Sequence, residues 1–119
     1  MSEALASIFS DQAIREFGSA LRTARRAEDY ASLIELENVE TVSQLAEALM
    51  KFLRRFDSLQ RRNDRSWRPA SSSYERIMEL ASRGKESVRL VRAALISHAL
   101  TYEAQAQLKE EKDVEQPSL

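Results

Sequence analysis

Hydrophobic residues recur every three or four positions along most of this chain, which is the spacing of a helix that buries one face. Over residues 11–26 the pattern is carried by Ile14, Phe17 and Leu21. No segment alternates convincingly between hydrophobic and polar residues, as a half-buried strand would. The hydrophobic pattern therefore predicts an all-α protein.

Two residues of the first helix have structural consequences. Ser10 or Asp11 is suited to cap its N-terminus, because a short polar side chain can accept a hydrogen bond from a free backbone N–H group. Gly18 lies in its middle, where glycine costs about 1 kcal/mol relative to alanine. We therefore expect another helix to cross close to Gly18.

A long helix over residues 41–62 is the best defined element of the pattern. Thr41 and Gln44 have capping-box spacing at its start. Its predicted buried face consists of Val42, Leu45, Ala46, Leu49, Phe52, Leu53 and Phe56. A short helix from Asp29 precedes it, and the residues of that helix predicted to face the core are Tyr30, Leu33, Ile34 and Leu36.

The C-terminal half predicts two further helices. Pro69 marks a loop, Ser72 and Glu75 form a second capping box, and Gly84 is the expected stop. The predicted buried face of this helix consists of Tyr74, Ile77, Met78 and Ala81. The last helix, over residues 87–111, is apolar around much of its circumference, as a central helix would be. Its apolar positions include Val88, Val91, Leu95, Ile96 and Leu100.

These elements together predict a compact bundle of about five helices, with a central apolar C-terminal helix and no β-sheet. A chain of 119 residues is long enough for one domain with its own core. We expect an N-terminal segment over residues 1–10 and a single helical domain over residues 11–109. The acidic tail over residues 110–119 is expected to be disordered.

The composition removes most catalytic chemistry. The chain has no cysteine, which excludes disulfides, thiolate catalysis and zinc–thiolate sites. His98 is the single histidine and lies on the flank of an apolar helix, so we expect it to be hydrogen-bonded at the edge of the core. We therefore expect no enzyme, no metal and no cofactor.

The same sequence gives no sign of a membrane partner. No apolar run approaches the roughly 20 residues of a membrane span, and the N-terminus lacks a signal-peptide core. A cytoplasmic location is therefore expected.

Charged residues are segregated, although the net charge is only −1. Residues 28–47 contain six acidic residues and no basic one, whereas residues 51–68 contain seven basic residues and two acidic ones. We call these seven cations the arginine stripe: Lys51, Arg54, Arg55, Arg61, Arg62, Arg65 and Arg68. Its members on the long helix lie opposite the hydrophobic face. A fainter line on the first helix consists of Arg15, Arg22 and Arg26.

Two interpretations of the arginine stripe follow from its residues. Arginine presents a planar fork that suits phosphate, so the stripe and the first-helix arginines are candidates to bind a nucleic-acid backbone. Alternatively, the cations form an ordinary solvated helix surface, and those near the C-terminus of the helix interact favourably with the negative end of its dipole. Trp67, which lies within the stripe, either stacks on a base or anchors in the core.

Three stretches of the sequence resemble one protein family. They are "REFGSALRTARRAEDYASLIELENVETVSQLAEALMKFLRRF" at residues 15–56, "WRP" at residues 67–69, and "SVRLVRAALISHALTY" at residues 87–102. In their order and spacing they look like the small subunit of archaeal type I-A CRISPR effector (Cascade) complexes. The resemblance covers about residues 11–102.

The resemblance implies a non-enzymatic helical subunit of a CRISPR RNA-guided surveillance complex, active in antiviral defence. Such subunits line the interior of the complex in several copies and help to hold DNA strands during R-loop formation. The implied partners are the other effector subunits and guide RNA, target DNA or non-target DNA, contacted through the backbone. Some family members carry an extra β element, which no segment of this chain suits.

The expected mode of assembly and the rival functions also follow from the sequence. The acidic residues 28–47 could meet the basic surface of a neighbouring copy head to tail, which would give self-association. One rival function is a helical protein–protein interaction module that does not touch nucleic acid. Another is the small helical subunit of a type III CRISPR complex.

Overall fold

A computed structural model describes residues 3–26, 28–63, 69 and 71–100, and for residues 58–63 it describes the path of the helix only. Six helices account for most of these residues, and there is no strand among them. The helices are α1 (Glu3–Phe9), α2 (Gln12–Arg26), α3 (Ala31–Glu37), α4 (Val42–Asn63), α5 (Ser71–Ala81) and α6 (residues 87–100). The expected all-α fold is confirmed, with one helix more than anticipated.

The additional helix is α1, which lies within residues 1–10, the predicted N-terminal segment. Ile8 is buried, and the ring of Phe9 stacks on the imidazole of His98 with centroids 3.9 Å apart. Nε2 of His98 lies 2.6 Å from the carbonyl oxygen of Phe9 and donates to it, because a carbonyl can only accept. The predicted hydrogen-bonded histidine is thus confirmed. Seven residues are too few to show a helical repeat, so the pattern missed α1.

Helix α2 forms as the sequence predicts. Oδ1 of Asp11 accepts a hydrogen bond from the Ala13 N–H group at 3.0 Å, which makes Asp11 the N-cap. The hydroxyl of Ser10 instead donates to the Ser7 carbonyl of the preceding helix at 3.2 Å. The buried residues of α2 are Ala13, Ile14, Phe17, Gly18, Ala20, Leu21 and Ala24.

The close crossing expected at Gly18 is confirmed, and the crossing helix is α6. A Cβ atom built on Gly18 would lie 2.3 Å from the Cβ of His98 and 3.6 Å from its Cα. A distance below about 3 Å is shorter than van der Waals contact, so only glycine fits unless the helices separate. Because Gly18 has no side chain, the two helix backbones can approach closely. This close contact is gained at the expense of helix propensity at the same position.

The N-terminus of α4 has the predicted capping box. The Gln44 N–H group donates to Oγ1 of Thr41 at 3.1 Å, and the Thr41 N–H group donates to Oε1 of Gln44 at 3.1 Å. The predicted face of α4 is buried at Leu45, Leu49, Phe52, Leu53 and Phe56, whereas Val42 is 36% exposed. The phenyl rings of Phe52 and Phe56 lie 5.5 Å apart at the centre of the core.

The prediction for α3 was partly wrong. Leu36 is buried and Leu33 packs against the core, but Tyr30 is 52% exposed and Ile34 is 58% exposed. The face of α3 that meets the protein includes Ser32, a small polar residue that is 2% exposed. A two-turn helix offers too few positions for its hydrophobic residues to define the buried side.

Helix α5 differs from the prediction at both ends. It begins at Ser71, so Ser72 lies inside the helix and does not cap it. It ends at Ala81, and Gly84 in the following turn lacks the positive φ of a left-handed helix stop. Of the predicted buried residues, Ile77 and Ala81 are buried and Tyr74 and Met78 pack partly buried against the core.

Two polar contacts hold the beginning of α5 against α2. The Ser73 hydroxyl donates to Oε2 of Glu16 at 2.6 Å, and Nε of Arg76 donates to Oδ2 of Asp11 at 3.1 Å. Asp11 therefore has two functions, since its other oxygen caps α2. Sequence spacing could not indicate either contact, because the partners are 57 and 65 residues apart.

Helix α6 contacts several parts of the fold, in agreement with its expected central position. Its buried residues are Val88, Val91, Ala94, Leu95 and Ala99. It meets α1 and α2 through His98, and its arginines reach the α3–α4 connection. Leu100 is 44% exposed, so the helix is not covered on every side. No helix in the described part of the chain is long and apolar enough to cross a membrane.

We predict that Gly18→Ala lowers the free energy of unfolding by about 1–3 kcal/mol, because the added methyl group overlaps His98 at the helix crossing. Gly84→Ala is the matched control: its Cβ would meet nothing closer than Oγ of Ser87 at 3.7 Å, so stability should stay the same or rise slightly. Urea unfolding of the two variants tests this. Equal stability of Gly18→Ala and the wild type would contradict the close crossing.

Candidate nucleic-acid interface

The long helix α4 carries the first part of the arginine stripe on one side. Lys51, Arg54 and Arg55 lie outside the face that buries Leu49 and Phe52. The helix continues to Asn63, as the stripe requires, so Arg61 and Arg62 extend the same helix. The side chains of Arg61 and Arg62, and all of Arg65, Trp67 and Arg68, lie outside the described residues.

Arg55 is engaged within the fold. Its Nη2 donates to Oγ of Ser32 at 3.0 Å and to Oε2 of Glu35 at 3.3 Å. Its Nε lies 3.8 Å from Oδ2 of Asp29, and 36% of the side chain is exposed. Arg55 therefore ties α3 to α4, and two carboxylates already compensate its charge.

Lys51 has a weaker internal partner. Its Nζ lies 3.2 Å from Oε1 of Glu47, one helical turn earlier, and both side chains are largely exposed. Such a pair on a helix surface contributes about 0.3–0.5 kcal/mol. A phosphate could therefore replace Glu47 at little cost.

Arg54 has no such partner. It is exposed on α4 and forms no ion pair with any part of the chain that the structure describes. Arg61 follows seven residues later, which is close to two turns of helix, so the two arginines lie along one line. Arg54 is thus the described member of the stripe that is most available to an external anion.

The three arginines of the fainter line on α2 also divide into exposed residues and one that is engaged within the fold. Arg15 and Arg26 are exposed, without an ion pair among the residues described. Arg22 between them is half-buried, and its Nη2 donates to Oγ of Ser19 at 3.3 Å. The spacing of seven and four residues places all three arginines on one side of α2.

Most acidic residues of the segment 28–47 are paired within the chain. Asp29 and Glu35 meet Arg55, and Glu47 meets Lys51, as described above. Glu40 lies 3.3 Å from Nη2 of Arg89 and 3.4 Å from Nη1 of Arg92. Nη1 of Arg92 also donates to the Val39 carbonyl oxygen. Among the described residues this leaves Glu28 and Glu37 without an ion pair, and the pair of Glu47 is weak, so head-to-tail contact has less charge to draw on than the sequence indicated.

The contact of Glu40 with α6 was not visible in the sequence, because about 50 residues separate the partners. The guanidinium of Arg89, and to a smaller extent that of Arg92, lowers the pKa of Glu40 below its ordinary value of 4.5. All three side chains are at least partly exposed, so the interaction is subject to screening by salt. Its structural effect is to hold the α3–α4 connection against α6.

No group of three or more histidine, cysteine or acidic side chains within the described ranges could hold a metal ion. His98 is engaged by Phe9. Cationic surface is therefore the chemistry that the described residues offer most clearly.

Comparison with known proteins places the chain in a family. It is 45% identical over 115 residues to a protein of Archaeoglobus fulgidus named "Uncharacterized protein", an alignment that spans 92% of this chain and 96% of that protein. The chain belongs to the same family as that protein. No family model and no solved structure matches it.

The division between Arg55 and Arg54 gives a testable difference in stability. Arg55→Ala should lower the free energy of unfolding by about 1–2 kcal/mol, because Ser32, Glu35 and Asp29 lose their shared partner. Arg54→Ala, the neighbouring control, should change it by no more than about 0.5 kcal/mol. Thermal and urea unfolding measure both. Equal effects would show that Arg55 is not a structural residue.

The Glu40 contact predicts a pH-dependent difference. Because the pKa of Glu40 is lowered in the folded protein, its charge stabilises the fold above pH 4.5, and this contribution is lost as pH falls through the lower folded value. Glu40→Gln should therefore lower the melting temperature at neutral pH and have no effect in strong acid. Glu37→Gln, on an exposed residue without an ion pair among those described, should have no effect at either pH. A loss for Glu40→Gln that is independent of pH would argue against a charge effect.

Proposed function

We propose that this protein is a non-enzymatic small subunit of a type I-A CRISPR effector complex that contacts nucleic-acid backbone through the arginine stripe and helps to stabilise the R-loop. The observation that supports this most directly is the state of Arg54. It is exposed, it has no ion pair among the described residues, and it starts a line that Arg61 continues along α4. A cation without an ion pair in the described part of the fold is available to an external anion.

The chemistry of this surface suits phosphate better than bases. Arginine forms paired hydrogen bonds to phosphate oxygens and keeps its charge at any physiological pH. Contacts of this kind hold a strand in place without reading its sequence. They fit a subunit that supports base pairing between a guide RNA and DNA while the pairing itself provides specificity.

The structure also changes which arginines we assign to the interface. The described candidates are Lys51, Arg54, Arg15 and Arg26, together with the residues of the stripe from Arg61 onwards. Arg55 has a structural function instead, and Arg22 is partly withdrawn from the surface. The sequence resemblance is what supports the class of complex.

A helical protein–protein interaction module is the second candidate. The observation that favours it is the exposure of Tyr30 and Ile34, which are large hydrophobic residues more than half accessible to solvent. The two functions are compatible, because these residues lie on α3 and at its N-terminus, whereas the exposed arginines assigned to the interface lie on α2 and α4.

Binding to a fluorescent single-stranded DNA oligonucleotide, measured by anisotropy at several salt concentrations, tests the proposed function. For single strands, the slope of log K against log salt changes by about 0.7 for each phosphate that the protein neutralises. Arg54→Ala should weaken binding several-fold and make the slope shallower by about that amount. Changing Arg61, Arg62, Arg65 and Arg68 together to alanine should make the slope shallower by about 3 if each arginine binds one phosphate.

Arg83→Ala is the matched control for Arg54→Ala. It removes the same charge from an exposed position, but Arg83 is paired with Glu79 at 3.1 Å. Its salt slope should equal that of the wild type. If the wild type binds neither alone at low salt nor in a reconstituted complex, the nucleic-acid function is wrong. If the fourfold variant binds with an unchanged slope, the interface lies elsewhere.

A further inference from the structure

An open groove with a volume of about 300 Å³ lies between α3 and α4. Ile34 and Asn38 of the α3 side form one wall. Gln44, Glu47 and Lys51 form the other wall, at positions three and four residues apart that line one side of α4. The groove therefore runs between two helices and is bordered by side chains from each.

The floor of this groove is apolar, and its α3 wall carries one exposed apolar residue, Ile34, beside polar ones. Val39 and Ala48 line it and are 3% and 7% exposed, so they belong to the edge of the core. Ile34 is 58% exposed, and Tyr30 lies one turn earlier on the same side of α3 with 52% exposure. Among the residues described, these are the two most exposed large hydrophobic side chains. Adjacent apolar surface beside a groove is typical of a protein-binding site.

The charge around the groove is predominantly negative. Its lining includes Glu35, which is paired with Arg55, and Glu47, which is paired only weakly with the exposed Lys51 and can exchange it for another cation. Glu37 lies on the same helix as Ile34, is exposed, and has no ion pair in the part of the chain described. Near Ile34 this charge repels the acidic residues of the chain's own C-terminal sequence. It attracts a partner that combines hydrophobic and cationic side chains.

We propose that this groove docks an amphipathic helix of a partner protein, with hydrophobic residues facing Ile34 and Tyr30 and arginine or lysine facing Glu37 and Glu47. A helix that docks in a groove between two helices makes its main hydrophobic contacts at every third or fourth residue. That spacing matches the exposed apolar residues Tyr30 and Ile34 along α3. A small molecule is a poorer match, since binding sites for small ligands enclose most of the ligand surface and this groove is open. The groove shares Lys51 with the arginine stripe but does not include Arg54, and this inference does not depend on the proposed nucleic-acid function.

Two fluorescent peptides of about 18 residues, designed to be helical, serve as probes. Both carry leucines at the same helical spacing, and their flanking positions carry arginine in one peptide and glutamate in the other. Anisotropy should show binding of the arginine peptide and at least about tenfold weaker binding of the glutamate peptide, because Glu37 and Glu47 would then face like charge.

Ile34→Ser should weaken binding of the arginine peptide by about tenfold, as is typical when a central hydrophobic anchor is removed. Met50→Ser is the matched control, since Met50 is 44% exposed on α4 but does not line the groove. It should bind as the wild type does. Both substitutions replace exposed side chains, and equal melting temperatures will show that both variants fold.

Amide chemical-shift mapping of the complex provides an independent test. Shifts concentrated at Ile34, Asn38, Glu47 and Lys51 support the proposal, and shifts located elsewhere overturn it. Equal weakening of binding in Ile34→Ser and Met50→Ser, or equal affinity for the two peptides, also overturns it. Sedimentation of the protein without peptide measures its oligomeric state, which provides a further test that could contradict the proposal. A dimer that Ile34→Ser abolishes would assign the groove to a second copy of this chain.

Discussion

The arrangement of the bundle depends on the close approach of α2 and α6 at Gly18 and His98. The same histidine meets both neighbouring helices, since its Cβ lies beneath Gly18 and its ring stacks on Phe9. Three helices are thereby fixed relative to one another at one residue of α6. Because α2 also carries Glu16 and is capped by Asp11, which together hold α5, the position of α5 depends on this crossing as well.

The charged residues divide into those that build the fold and those left at its surface. Arg55, Arg89 and Arg92 join elements that are distant in sequence. Their acidic partners are Asp29, Glu35 and Glu40. A protein of nearly neutral net charge can thus present a local cationic surface, because its acidic residues form ion pairs with other cations of the same chain. The net charge of −1 therefore says little about the anions this protein can bind.

A structural feature can be predicted from the sequence when the residues that determine it lie close together along the chain. The capping residues Asp11 and Thr41, the buried face of α4 and the close approach at Gly18 were all predicted, because each follows from neighbouring residues or from one residue's shape. Short helices were predicted less well: α1 was missed, and α3 was assigned a buried face that includes the exposed Tyr30 and Ile34.

The division of the arginine stripe could not be predicted at all. Arg54 and Arg55 are adjacent and look equivalent in the sequence, yet one is free among the described residues and the other bonds to Ser32 and Glu35. That difference arises from the packing angle of α3 on α4, which one sequence does not determine.

The contact of Phe9 with His98 spans 89 residues and has a further consequence for the order of folding. During synthesis α1 emerges before the other described helices, but its docking site on α6 is completed only after nearly all the described chain has been made. Among the described helices, α1 is therefore one of the last to reach its native place.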